Sequence, residues 1–477
     1  TVAPGAKLTL ASGKTLTVVG ALTLQSDASA TATFVNNGGT VSAASTNVEQ
    51  YLTTGRNWYI SSPVSNGSTA VFNPAAGSNH LFWYDESKGS TNPWAYSTRN
   101  DSTLQVMRGY VANMASTGVV TFSGTLNSGS SITLNRTVGQ VKEGFNLVGN
   151  PYPAHTTITK AISDAANALN TIWYRTASWN GTKYVYTFQT CLLNANGSSL
   201  GTPDTTTPII APMQAFWVRT STNGSTLNFS SALQSHQSAN PLKAPTARNL
   251  SQEILRLQVT NSDAIADETV LYFSPDASNS FDSYDAQKMF NNSASVAEIY
   301  TVAGNESLAI NGLNAIQYDT EIALGFNTLT AGTFNIKASQ IANFTAGTQV
   351  ILKDYADVNS PVTTVLSDGG SYSFSSDATI NNTSRFALIF RAPSVATGIN
   401  NESNGNVWIS TRNGQLVVNG TTSNKTMLEV FNAVGQKVIS RNLTGSTIEL
   451  NSNLVSGAYL LRITFDGKSI TRKIIID

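Results

Sequence analysis

The sequence has little of what covalent, redox or electrostatic chemistry requires. Of 477 residues one is cysteine, Cys191, and three are histidine, His80, His155 and His236. A single thiol excludes an intramolecular disulfide framework and a multi-cysteine zinc site, so stability must come from packing. Cys191 reads as a lone buried or half-buried thiol, not a nucleophile. The histidines are scattered, with no H-E-x-x-H pattern and no cysteine–histidine pair, so metalloprotease and thiol chemistry lack their minimum parts. Charge is equally scarce: 28 basic and 28 acidic residues make up 12% of the chain, which argues against an electrostatic nucleic-acid binder. No apolar run approaches the roughly 18 residues of a membrane helix. Thr1-Val2-Ala3-Pro4 has no signal-peptide character, and the numbering is read as starting inside a mature or trimmed chain.

Catalytic motifs are missing too. Ser12-Gly13-Lys14-Thr15 and Asp466-Gly467-Lys468-Ser469 lack the earlier glycine of a phosphate loop. Gly197-Ser198-Ser199-Leu200-Gly201 has the spacing of a nucleophile elbow, but its Asn-rich approach and the following Thr202-Pro203 are not the strand and helix that motif needs. Paired carboxylates for glycoside hydrolysis need only meet in space, and nothing local supports them. No catalytic residue is assigned.

What is present is β pattern punctuated by Gly, Asn, Ser and Thr, and the fold class is all-β: several sandwiches in tandem, with one short helix. Residues 1–50 carry Leu8-Thr9-Leu10, Leu16-Thr17-Val18 and Leu22-Thr23-Leu24, spaced like rungs of a β-solenoid, either a cap on the next domain or the tail of a longer repeat array, or else like a plain meander of hairpins. Residues 51–240 contain an echo. Gly55-Arg56-Asn57-Trp58-Tyr59-Ile60-Ser61-Ser62-Pro63 is matched by Gly144-Phe145-Asn146-Leu147-Val148-Gly149-Asn150-Pro151. Phe82-Trp83-Tyr84 is matched by Ile172-Trp173-Tyr174, and Met107-Arg108-Gly109-Tyr110-Val111 by Met213-Gln214-Ala215-Phe216-Trp217-Val218. The order predicts two equivalent β-units, about 55–128 and 144–235. A helix is expected over Ile158–Asn170, with Ile158, Ile162, Ala165 and Leu169 on one face and Thr156 or Thr157 as its cap. After a polar linker, residues 251–393 alternate as an immunoglobulin-like or jelly-roll sandwich.

The last segment, 395–477, is the most specific. Asn432-Ala433-Val434-Gly435 reads as a turn between strands. Gly457 opens a strand whose positions 459, 461, 463 and 465 share an apolar face, and Asp466-Gly467 is a two-residue hairpin signal. The ordered set Leu428–Val438, Leu454–Ile463 and Lys473–Ile476 resembles the C-terminal sorting domain of type IX (Por) secretion cargo of Bacteroidetes. In place of that family's common Tyr-Pro-Asn-Pro-like opening stands Asn404-Gly405-Asn406-Val407-Trp408-Ile409-Ser410. The resemblance implies a small immunoglobulin-like sandwich, read by outer-membrane export machinery (a shuttle barrel and a translocon), on a secreted or surface-bound protein. It makes Gly435, Gly457, Tyr459 and Lys473 sorting-signal residues. The Gly144–Pro153 and Ala211–Val218 segments also resemble a region found in large secreted Bacteroidetes proteins with the same tail, one without an established activity.

Two weaker sites follow from residue type. Trp94, Tyr96, Trp179 and Tyr184 are candidates for a flat ring platform that stacks on sugars, because aromatic faces give large contact area at small rotamer cost. Asp263, Asp267 and Glu268 place hard oxygen ligands close together, a possible Ca²⁺ site competing with solvated turn carboxylates. No other cofactor is expected. The expected function is that of an exported, non-catalytic, adhesin-like surface protein whose partner is a glycan or a host or surface protein. The alternatives are an accessory glycan-binding part of a larger secreted carbohydrate-active enzyme, or a structural stalk.

Overall fold

The computed structural model describes residues 1–72, 81–96, 103–193, 199–237, 252–262, 265–393, 408–412, 415–419, 426–443, 447–451, 454–465 and 468–476. It is all-β, with strands throughout and one six-residue α-helix among the described residues. Contacts divide the chain into two compact units, Thr1–Ala392 and Pro393–Asp477. The polar linker expected near 235–249 lies mostly outside the described residues, as does the Asp466-Gly467 turn.

The first unit opens with parallel pairing. Lys7–Leu10 lies parallel beside Thr33–Asn36, and Thr15–Leu24 parallel beside Thr40–Leu52 with a register shift between Val18 and Ala21. Hairpins would pair antiparallel, so this is a coil of the chain. Leu10, Leu22, Leu24, Phe34 and Val48 point into a core shared with Ile60, Phe72, Val120 and Phe122, so the coil closes one end of the following sheets.

The echoed segments occupy corresponding places in two sheets. In one, the strands run Asn57–Ile60, Tyr110–Asn113, Leu81–Tyr84, Trp94–Tyr96; in the other, Phe145–Gly149, Ala215–Thr220, Ala168–Trp179, Tyr184–Leu193, with Ser199–Thr202 added at the edge. Gly55 and Gly144 precede the first strands at φ of 82° and 81°, a conformation that strains any residue with a Cβ. The units then clasp each other reciprocally. The Ser61 N–H donates to the Met213 carbonyl at 2.7 Å, and the Gly149 N–H to the Met107 carbonyl at 2.8 Å. Isolated bridges Ile60↔Gln214 and Arg108↔Val148 repeat the exchange.

The helix is shorter than its pattern predicts. It spans Lys160–Ala165, with Thr159 at its N-cap and no side-chain cap bond. Thr156 and Thr157 are instead in a strand, His155–Thr157, paired with Ile209–Ile210. Asn167, at φ 48°, turns the chain, and Ala168 onward belongs to the long strand, so Leu169 is not helical. A helix this short has little stability of its own, and the ladder partners at Thr220 and Leu192 outcompete its propagation.

Residues Ile254 to Arg391 form a sandwich-like sheet system around a core of Leu257, Leu271, Ile299, Phe326, Phe334, Phe374, Phe386 and Phe390. Its phenylalanines meet edge to face, as at Phe326–Phe334 and Phe374–Phe386, with centroids 5.1 and 4.8 Å apart. Such pairs add about 0.5–1.5 kcal/mol each beyond their buried area.

The second unit contains two antiparallel sheets, one of Trp408–Arg412, Gln415–Asn419 and Thr447–Asn451, the other ordered Lys437–Leu443, Thr426–Phe431, Gly457–Phe465, Lys468–Ile476. Leu428, Val430, Leu443, Leu461, Ile463 and Ile474 make its core. The Asn432–Gly435 turn forms as its chemistry dictates: Gly435 takes φ 81°, its N–H donates to the Asn432 carbonyl at 3.0 Å, and Asn432 Oδ1 accepts from the Gln436 N–H at 2.9 Å.

Candidate functional site

The hairpin Ala168–Trp179 and Tyr184–Leu193 carries the aromatic residues that best fit an exposed platform. Its turn is built by Asn180, whose Oδ1 accepts from the Thr182 and Lys183 N–H groups at 3.1 and 2.9 Å, with Gly181 at φ 99°. Register then pairs Trp179 with Tyr184, Ala177 with Tyr186, and Arg175 with Phe188. Strand alternation puts all six on one face. Along this face burial falls toward the turn: Trp173 is fully buried, Tyr184 and Tyr186 are half-buried, and Trp179 is 58% exposed. The Trp179 and Tyr184 rings meet edge to face at 5.1 Å.

The Gly55 turn brings a second set of residues to this strip. The Arg56 guanidinium lies over the Trp58 ring at 4.0 Å and faces the Tyr184 ring at 5.4 Å. Trp58 is held by its Nε1–H, which donates to the Thr53 carbonyl at 2.8 Å. The Tyr186 hydroxyl accepts from the Asn57 N–H at 2.6 Å, tying the hairpin to the first strand of the other unit. Burial lowers the Arg56 pKa from its ordinary value, with Tyr186 and Tyr184 as its ionisable neighbours.

The inner end of the strip is anchored by a polar network. Arg175 lies over the Phe188 ring at 4.3 Å and donates to Asn291 Oδ1, which also accepts from the Phe188 N–H at 3.0 Å. The Asn291 N–H and Nδ2 donate to Glu298 Oε1 at 2.6 and 3.0 Å. Burial, then repulsion from Asp267, pushes the Glu298 carboxyl up to about 7. Trp173 Nε1–H donates to the Gln287 carbonyl at 3.0 Å.

The other candidate rings have different places. Trp94 stands edge-on to Tyr84 at 5.4 Å and to Trp217 at 6.0 Å, inside the layer between the two echoed sheets, so it is packing material and not platform. Tyr96 ends the Trp94–Tyr96 strand, and its side chain lies outside the described residues. The acidic trio does not converge. Asp263 lies outside the described residues, and Asp267 and Glu268, adjacent on one strand, point to opposite faces. Asp267 is bridged by Lys288 Nζ at 2.5 Å, and Glu268 by Arg256 at 2.9 Å. These cations supply the positive charge that Ca²⁺ would have brought. Among the described residues no three His, Cys, Asp or Glu side chains gather as metal ligands. Ser199 is buried and opens the strand Ser199–Thr202 instead of standing on a strand-to-helix elbow.

The second unit holds a groove of about 640 Å³ lined by Phe431, Gly435, Tyr459, Leu460, Arg462 and Lys473. Three of the residues that sequence singled out therefore meet at one place, while Gly457 only opens the strand beside it. Arg462 and Phe431 were not foreseen; the i, i+2 alternation Leu460, Arg462 is the signal that identifies them. Arg462 Nε donates to Glu429 Oε2 at 2.9 Å and Lys437 Nζ to Oε1 at 3.1 Å, which holds the Glu429 carboxyl below its usual value.

The comparisons with known proteins divide at the same point as the contacts. A family model described as "Domain of unknown function (DUF8693)" matches residues 1–390. One described as "Secretion system C-terminal sorting domain" matches residues 403–477. The tail therefore marks a protein exported by type IX secretion, to the cell surface or beyond it. No helix among the described residues is long and apolar enough to cross a membrane. No curated protein matches the chain. A solved structure titled "Biofilm associated protein - BSP domain" aligns with 90% of this chain and 92% of its own, at 11% identity and a TM-score of 0.13, a likeness that carries no argument.

Proposed function

The chain belongs to the DUF8693 family over residues 1–390 and carries a secretion sorting tail over 403–477, and from that premise we propose that it is a non-catalytic, adhesin-like surface protein that binds glycan on the Trp179 strip. The supporting observation is Trp179 itself. A tryptophan 58% exposed on a hairpin, braced by Tyr184, presents a flat apolar ring face where the other exposed large apolar side chains are mostly aliphatic. Stacking on the hydrophobic face of a sugar ring uses such a surface without needing a cavity. The tail groove at Phe431, Tyr459 and Lys473 is the surface we assign to recognition by the outer-membrane export machinery.

A panel of immobilised polysaccharides tests the binding role. The intact protein is expected to bind at least one, and Trp179→Ala and Tyr184→Ala to weaken binding about tenfold or more, a loss of one stacking contact. Because Trp179 is exposed, its variant should keep the wild-type melting temperature. Full binding by the Trp179→Ala protein, or hydrolysis of a polysaccharide by the purified chain, would sink this reading.

A further inference from the structure

The Trp179 strip ends against a cation that no described residue neutralises. Arg56 makes no ion pair and no side-chain hydrogen bond to any described residue, although every other described arginine between residues 55 and 235 has a polar partner or lies against a single ring: Arg175 reaches Asn291, Arg219 reaches Glu143 and Gln287, Arg136 reaches Glu143 and Arg108 stacks on Trp83. The Arg56 Nε is enclosed and has no acceptor. Its guanidinium is instead clamped between aromatic groups, 4.0 Å over Trp58 and 5.4 Å from Tyr184. Clamping of this kind orients the guanidinium plane and removes much of the rotamer freedom that a long cationic side chain would lose on binding. In a chain with only 12% charged residues, a positioned and unpaired guanidinium stands out.

Tyr184 touches both Arg56 and Trp179, so the cation and the exposed indole lie within reach of one disaccharide. A neutral glycan on Trp179 would leave Arg56 without an acceptor. A sugar bearing an anionic group would stack on the indole and place that group at the guanidinium, whose paired N–H donors match carboxylate geometry and accept sulfate less selectively. We propose that the Arg56–Trp58–Tyr184–Trp179 strip is a subsite for an acidic glycan, one whose repeating unit carries a carboxylate or sulfate. The proposal rests on the glycan-binding reading of Trp179 and assigns its ligand class.

The test measures binding of the full chain to oligogalacturonate, to chondroitin sulfate and to neutral cello-oligosaccharides by calorimetry, at low and high salt. The expected result is affinity for at least one acidic ligand about tenfold or more above the neutral one, as a charge-assisted hydrogen-bonded pair supplies, with that advantage shrinking as salt rises. Preference for oligogalacturonate identifies the carboxylate source, and preference for chondroitin sulfate the sulfate. Arg56→Gln should bring the ratio of acidic to neutral affinity down to about one, while Arg56→Lys should retain part of the acidic advantage. If Arg56→Gln fails to fold, Arg56→Lys and the wild-type ratio decide. Equal affinity for acidic and neutral glycans, or an unaltered acidic advantage in Arg56→Gln, overturns the acidic subsite while leaving the Trp179 platform standing. Absence of binding to all three, with the polysaccharide panel also silent, removes the platform and the subsite together.

Discussion

At the scale of single residues, the clasp between the echoed units depends on positions where side chains have almost no room. A Cβ on Gly149 would lie 2.1 Å from the Ser61 Cβ, well inside contact, because the two strand ends exchange hydrogen bonds there. Gly149→Ala is expected to destabilise the first unit by roughly 1–3 kcal/mol or more through overpacking. Gly20→Ala, at a position with open space and no positive φ, should change stability by only a few tenths of a kcal/mol (about 0.5 or less). Urea titration of both variants checks the contrast, and equal stability would show that the strand ends separate freely. The Gly-x-Asn echo was legible in the sequence, since glycine before a strand is a direct backbone signal. The match of Met107 with Met213 was legible as well, but their left-handed backbone was not. Both take φ near 60° and are fully buried, and propensity gives no hint that a methionine will occupy left-handed backbone. Only the reciprocal carbonyl contacts to Gly149 and Ser61 explain why the turn is kept.

At the scale of elements, sequence periodicity located strands well and failed where a tertiary partner outbid local preference. The helix expected over Ile158–Asn170 lost its expected caps, Thr156 and Thr157, to the strand paired with Ile209–Ile210, and its C-terminal end to the long platform strand. Trp94 and Trp179 look alike in sequence, but one is caught between sheets and the other projects from a hairpin end. Alternation tells which face a ring shares and cannot tell whether another sheet covers that face. The polar network behind the hairpin was likewise invisible, because Arg175, Asn291 and Glu298 are brought together from distant segments. It has a measurable consequence. Glu298 is pushed up to about 7, mainly by burial and then by Asp267, against an ordinary value of 4.5. The folded chain therefore keeps a proton that the unfolded chain has released, and the stability this group contributes is full below its unfolded value and lost as pH rises through about 7. Glu298→Gln retains an acceptor for Asn291 without the ionisation. Relative to wild type, its melting temperature should be similar near about pH 5 and higher by a few degrees near about pH 8, at about 2 °C for each kcal/mol. Parallel melting curves for the two proteins across that range would contradict the buried, protonated Glu298.

At the scale of the whole molecule, the division at residues 392 and 393 separates two tasks by physical means. The tail has its own core of Leu428, Val430, Leu461 and Ile463, and its own pair of sheets. The groove proposed for recognition accordingly belongs to the tail alone, with Phe431, Tyr459, Arg462 and Lys473 all contributed from residues after 393. Residues 393–477 fused behind an unrelated, folded reporter in a type IX-competent host should therefore carry that reporter to the cell surface or the medium. The groove predicts more than the fusion itself. Lys473 is exposed on the outer face, where it packs in register beside Leu460 and makes no core contact. Lys473→Glu should leave the tail folded while reversing the charge at the groove, and it is expected to lower reporter export about tenfold if this face docks on the machinery. Leu461→Asp places a carboxylate in the core instead, and should abolish export by unfolding the tail. The two failures are separable by protease resistance of the purified fusion: resistant for Lys473→Glu, sensitive for Leu461→Asp. Wild-type export of the Lys473→Glu fusion would move recognition to another face of the tail, and retention of the unmodified fusion in the periplasm would show that export needs residues before 393 as well.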